Sequence, residues 1–178
     1  MSRAFVKESD GDGPDELPEL PLSPHPNYVT ARGLALLQRR LAGVEQQLLA
    51  LPSTAVDSRL ARAELAREQR WLQARLGSAR LVNTRAANVL AGADSQRDVR
   101  VDFGAKVELI DDNGQRYQYR IVGEDEADPE QGRISWLSPL ARALKGAQVG
   151  DSVRWSRPAG DREIELLAID FRPDAVTD

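Results

Sequence analysis

The chain has 178 residues, 41% hydrophobic and 29% charged, with a formal net charge of −4 and no cysteine. This is the balance of one ordinary globular domain or two small ones, and the missing cysteine excludes disulfides, thiolate metal sites and cysteine nucleophiles. No run is apolar enough to cross a bilayer and the start lacks a signal-peptide pattern, so the expected compartment is the cytoplasm and no membrane partner is expected.

Residues 1–27 form a leader rich in proline and acid. Pro14, Pro18, Pro21, Pro24 and Pro26 forbid helix and favour extended chain, either disordered or lying on the body as a strand-like arm. Asp10, Asp12 and Asp15 hint at a calcium loop, but Pro14 and the missing distal glutamate spoil it. Thr30 is a good helix N-cap. Leu34, Leu37, Leu41, Val44, Leu48 and Leu51 follow at alternating spacings of three and four, a heptad seam. Pro52-Ser53-Thr54 stops that helix. A second begins near Asp57 and carries a less regular seam of Leu60, Leu65, Leu72, Leu76 and Ala79. So short a turn forces antiparallel packing, giving a coiled-coil hairpin over residues 28–90 whose first arm is roughly 30 Å long. Between Tyr28 and Leu90, ten arginines and four carboxylates leave the hairpin at +6 and the remainder at −10. This split suggests two faces with different partners.

Residues 91–100 read as a linker. Beyond them the period changes to two. Val107 and Leu109 alternate, as do Tyr117, Tyr119 and Ile121, and Asp112-Asn113-Gly114 supplies a tight turn between the two runs. Ile134 marks a short strand. Ser138-Pro139 opens a helix through Leu144, serine as cap and proline in the first turn. Gly150-Asp151 and Pro158-Ala159-Gly160-Asp161 are turns around two last strands, 152–156 and 163–171. The fold class expected is α+β: a helical hairpin, then an antiparallel sheet with one helix over residues 101–173.

Three stretches, VDFGAKVELIDDNG at 101–114, YRIVGEDEADPEQGRIS at 119–135 and SPLARALKGAQVGD at 138–151, closely resemble the C-terminal domain of the bacterial Gre transcript-cleavage factors. The hairpin and linker before them match that architecture over about residues 28–171. The resemblance implies a C-terminal domain similar in fold to FK506-binding proteins, docked on the rim helices of RNA polymerase's largest subunit. It implies polymerase-binding roles for Asp125, Ser138, Pro139, Ala141 and Leu144, and a hairpin entering the secondary channel. Cleavage-competent Gre factors carry an acidic tip whose two carboxylates hold a second magnesium. Here the turn LLALPSTAVDSRLARAEL offers Asp57 alone near the apex, with Glu45 and Glu64 about two helical turns back. Both arms look shortened, as in the related regulator of nucleoside diphosphate kinase. The reading is therefore a polymerase-binding regulator of elongation, without cofactor or metal and not itself an enzyme, which at most stimulates the polymerase's own transcript cleavage.

Competing readings attach to single residues. Asp57 is either a tip residue or the N-cap of the second helix. Asp125, in an acidic loop, either faces a basic patch on the polymerase or is simply solvated. Trp136 and Trp155 are core or rim packing, and an exposed Trp136 beside Ser138 would be an interface anchor. Arg39, Arg40, Arg59 and Arg62 suggest contact with nascent RNA, against an ordinary solvated helix surface. His25 has no partner nearby in sequence. Two alternatives complete the set. One is an active GreB-type cleavage factor. The other is a prolyl isomerase, for which Phe103, Tyr117, Tyr119, Trp136, Trp155 and Phe171 show no pocket-like spacing.

Overall fold

The computed structural model describes residues 17–52, 58–83, 99–157 and 159–172. Asp57, most of the 91–100 linker and residues 1–16 of the leader lie outside them.

Strand β1 (Tyr28–Val29) leads into α1 (Ala31–Ala50). Thr30 caps that helix as expected, its hydroxyl accepting from Gly33 N at 2.9 Å. The second helix, α2 (Ser58–Ser78), returns antiparallel and ends at β2 (Arg80–Leu81). The two short strands pair in parallel, Tyr28 with Arg80 and Val29 with Leu81, and clasp the base of the hairpin. Val29, Leu37, Val44 and Leu72 are buried between the arms, flanked by Leu34, Leu41, Leu48, Leu65, Trp71 and Leu76. Leu60 is not part of this seam. It stands at the start of α2 with 59% of its surface exposed.

The second part is a five-stranded sheet in the order β5-β4-β3-β7-β6. It comprises β3 (Lys106–Asp111), β4 (Arg116–Val122), β5 (Arg133–Ser135), β6 (Ser152–Trp155) and β7 (Arg162–Asp170), with helix α3 (Pro139–Leu144) packed on it. The Asn113-Gly114 turn joins β3 to β4 as expected, with Gly114 at φ +78°. The sheet is mixed, whereas sequence alone suggested antiparallel pairing throughout. β5 runs parallel to β4, because the chain from Gly123 to Gly132 turns back beside the second half of β4 and pairing then begins at Arg120 with Arg133. A bulge between Glu108 and Leu109 interrupts the β3–β7 ladder, a device that adds twist. Val107, Leu109, Ile121, Ile164 and Leu166 bury one face of this sheet against Leu140, Ala141 and Leu144 of α3.

Candidate functional site

The acidic run Glu124-Asp125-Glu126 forms a single 3₁₀ turn after β4. It faces inward, toward the base of the hairpin. Asp125 accepts from Arg75 Nε at 2.8 Å, and its side chain is only 14% exposed. Arg75 is itself buried on α2. It donates through Nη2 to Asn27 Oδ1 at 2.8 Å, while Asn27 Nδ2 donates to the Arg75 carbonyl at 2.7 Å. Glu126 accepts from the Thr30 hydroxyl, and Arg32 and Arg133 each approach its other oxygen to 3.8 Å. Burying these charges is costly unless each is paired, so the turn and the hairpin base must be seated together. Glycine makes that seating close. A Cβ on Gly123 would collide with the Tyr28 carbonyl, a backbone atom with no freedom to yield.

Asp125 was expected to offer its charge outward. The carboxylate is instead occupied by Arg75, a residue that composition and charge alone do not single out. A signal for Arg75 was present: it lies three residues after Leu72 and four before Ala79, on the apolar face of α2.

The Ser138-Pro139 corner follows on the same domain. Ser138 Oγ accepts from Ala141 N at 3.2 Å, and Pro139, at the first helical position, is exposed. Ala141 and Leu144 are 4% and 0% exposed and belong to the core. They pack the inner side of this helix against the sheet. The outward side of this segment is Pro139, Arg142, Lys145 and Val149. Trp136, just before the corner, is half-buried between the rings of Tyr28 at 5.2 Å and His25 at 6.3 Å. His25 thus has a partner that sequence proximity did not reveal.

Trp155 packs against Tyr117 and Tyr119, with ring centroids 6.0 and 6.4 Å away, and Arg157 lies 4.9 Å over its ring. The three rings fill the space they share, as core packing does. Beneath them Asp111, buried at the end of β3, accepts from the amides of Asn113 and Gln115, the Tyr117 hydroxyl and Arg162. Burial pushes its pKa up, but those donors outweigh burial and hold the carboxyl below its ordinary value. Burial and the neighbouring Asp111 in turn raise the Tyr117 phenol.

On the hairpin, Arg40 pairs with Glu68 at 2.7 Å and Arg62 donates to the Leu51 carbonyl at 2.9 Å. Arg39 and Arg59 are exposed. Glu45 accepts from Gln69 at 3.3 Å.

Residues 96–171 match the family model for the GreA/GreB transcription elongation factor C-terminal domain. Residues 96–171 are therefore a domain of the GreA/GreB C-terminal type. The GreA of Sinorhizobium medicae is 48% identical over 73 residues, covering 40% of this chain and 46% of that relative. The GreA of Alkalilimnicola ehrlichii is 40% identical over 101 residues, covering 56% and 59%. The matches to these GreA relatives therefore span about half of each relative's length. Among solved structures, the GreA factor homolog 1 of Thermus thermophilus is 24% identical with a TM-score of 0.38, covering 82% of this chain and 99% of that one. A GreA/GreB factor from Nitrosomonas europaea is 19% identical with a TM-score of 0.37, covering 80% and 97%. The Gre domain contains the acidic turn, the Ser138-Pro139 corner and the whole five-stranded sheet.

Proposed function

We propose that this protein is a Gre-type factor that binds RNA polymerase and regulates transcription elongation from the secondary channel, in the cytoplasm and without enzymatic activity of its own. The match over residues 96–171 carries this reading, because it takes in every element of the second domain. Docking on the rim helices of the largest subunit uses the Ser138-Pro139 corner and the exposed Pro139, Arg142 and Lys145, with Ala141 and Leu144 holding that face from behind. The exposed Arg39 and Arg59 are the hairpin groups available to nascent RNA. Asp125 acts indirectly, by seating the hairpin on the domain.

The hairpin is read as a channel occupant that does not stimulate transcript cleavage. Gripping a second metal takes at least two convergent carboxylates. Glu45 and Glu68 already serve Gln69 and Arg40, and the exposed Glu64 lies about two helical turns back from the apex. The exposed Leu49 and Leu60 are apolar, and Asp57 is the only acid between Leu51 and Arg59.

Retention of core polymerase on the immobilised protein tests the docking. The double change Pro139→Ala and Arg142→Glu is expected to weaken retention about tenfold or more, equivalent to about 1.4 kcal/mol. No retention of polymerase by the unaltered protein would refute the reading. Backtracked complexes with magnesium should keep their transcripts at saturating protein. Shortened transcripts, lost again in Asp57→Ala, would instead establish an active cleavage factor.

A further inference from the structure

We propose that residues 17–27 are an intramolecular strap that holds the hairpin at one angle to the C-terminal domain. The segment touches both. At its start, Glu19 pairs with Arg70 at 2.7 Å, the Pro18 carbonyl accepts from Arg67 at 3.5 Å, and Trp71 Nε1 donates to the Pro21 carbonyl at 3.1 Å. These three partners occupy little more than one turn of α2. At its end, His25 stacks edge-on against Trp136, and Asn27 enters the Arg75 cluster. The chain continues into Tyr28, whose ring contacts both Trp136 and Phe103 at 5.2 and 6.0 Å.

The chemistry between these anchors suits a tie. Pro18, Pro21, Pro24 and Pro26 restrict the backbone, so little entropy is lost when the segment is laid down. At about 3.1 Å per residue, the four steps from Pro21 to His25 span roughly 12 Å, enough to pass from one body to the other. The anchors are unequal. Glu19 and Arg70 are 62% and 52% exposed, and a pair so wet contributes little. The indole hydrogen bond and the ring contacts carry the strap.

Among the described residues, the direct links from α1 and α2 to the domain are polar: Arg75 to Asp125 and Glu124, and Thr30 and Arg32 to Glu126. Water can replace such links when the joint opens. The strap adds the aromatic contact of His25 with Trp136, beside those that Tyr28 of β1 makes with Trp136 and Phe103, and water cannot replace these. The strap therefore resists opening, where the ion pairs only specify the closed register. This inference rests on the contacts alone and is independent of polymerase binding.

Absence of cysteine allows two labels to be placed cleanly. Leu49→Cys and Val149→Cys, at positions 87% and 44% exposed, take spin labels on the hairpin and the domain. Pulsed electron resonance should give one narrow distance distribution for the otherwise unaltered chain. Removing residues 1–26, or combining Trp71→Phe with His25→Ala in the full chain, should broaden it roughly twofold or add a second maximum. Circular dichroism checks that helix content is retained. If the truncated chain loses helix, the full-length double variant decides. A distribution that stays narrow in the double variant, or that is already broad in the parent, overturns the proposal.

Discussion

Asp111 illustrates how much one side chain can organise. It closes the β3–β4 turn through two amides and ties that turn to β7 through Arg162. Its folded pKa lies below the unfolded value of about 3.9, so the ionised form is the one that folding favours. That stability is present above about pH 4 and is lost as pH falls through the folded pKa. Asp161, held low by Ser156 and Arg154, and Asp170, held low by Arg172, act in the same direction. The urea midpoint should fall between about pH 5 and about pH 2.5, and fall less steeply in Asp111→Asn. An equal slope in that variant would show that other carboxylates dominate. In the sequence, Asp111 was one more acid beside a turn. Its importance depends on Arg162, 51 residues later, and no local pattern encodes that pairing. Asp125 has the same history. Its acidity was legible, but its direction was set by Arg75.

Elements were more legible than residues where a period repeats often enough to be read. The seam of α1 from Leu34 to Leu48 and the β3–β4 hairpin stand where alternation placed them, while Leu51 caps the helix outside the packed cluster. The seam of α2 is harder to read because Arg75 and Trp71 share its inner side with Leu72. Packing distinguishes the leucines of α2 more sharply than spacing does. Leu72→Ala, at a position with no exposure, should cost about 2–5 kcal/mol in hairpin stability measured by urea denaturation. Leu60→Ala, at a largely exposed position, should stay within about 0.5 kcal/mol. Equal costs would mean that the arms pack in another register. β1, β2 and the parallel edge of β5 were not legible, because two or three residues are too few to display a period. Their pairing is decided by what the rest of the chain brings beside them.

At the scale of the whole molecule, the charge split between hairpin and remainder turns out to be partly internal. Arginines of the basic half meet carboxylates of the acidic half at the joint. Removing one partner is the sensitive test, since it strands the other in a poorly hydrated place. Arg75→Ala should destabilise the joint by about 3 kcal/mol, the lower end of the range for a buried pair because Asp125 keeps some exposure. Hydrogen exchange across a urea series should show α2 and β3 losing protection together in the parent. In the variant α2 should lose it first. Coincident loss in both proteins would show that the joint does not couple the two halves.

The clasp of β1 on β2 also bears on how the protein is made. All partners in that clasp lie within residues 27–82, so the rod can close its own base while the ribosome is still assembling the sheet. Arg75 must then wait for Asp125, 50 residues further on. At about 5–20 residues per second this is a delay of roughly 3–10 s. During that interval Asn27 is the companion already at hand, offering the nascent guanidinium a neutral oxygen before its acidic one emerges.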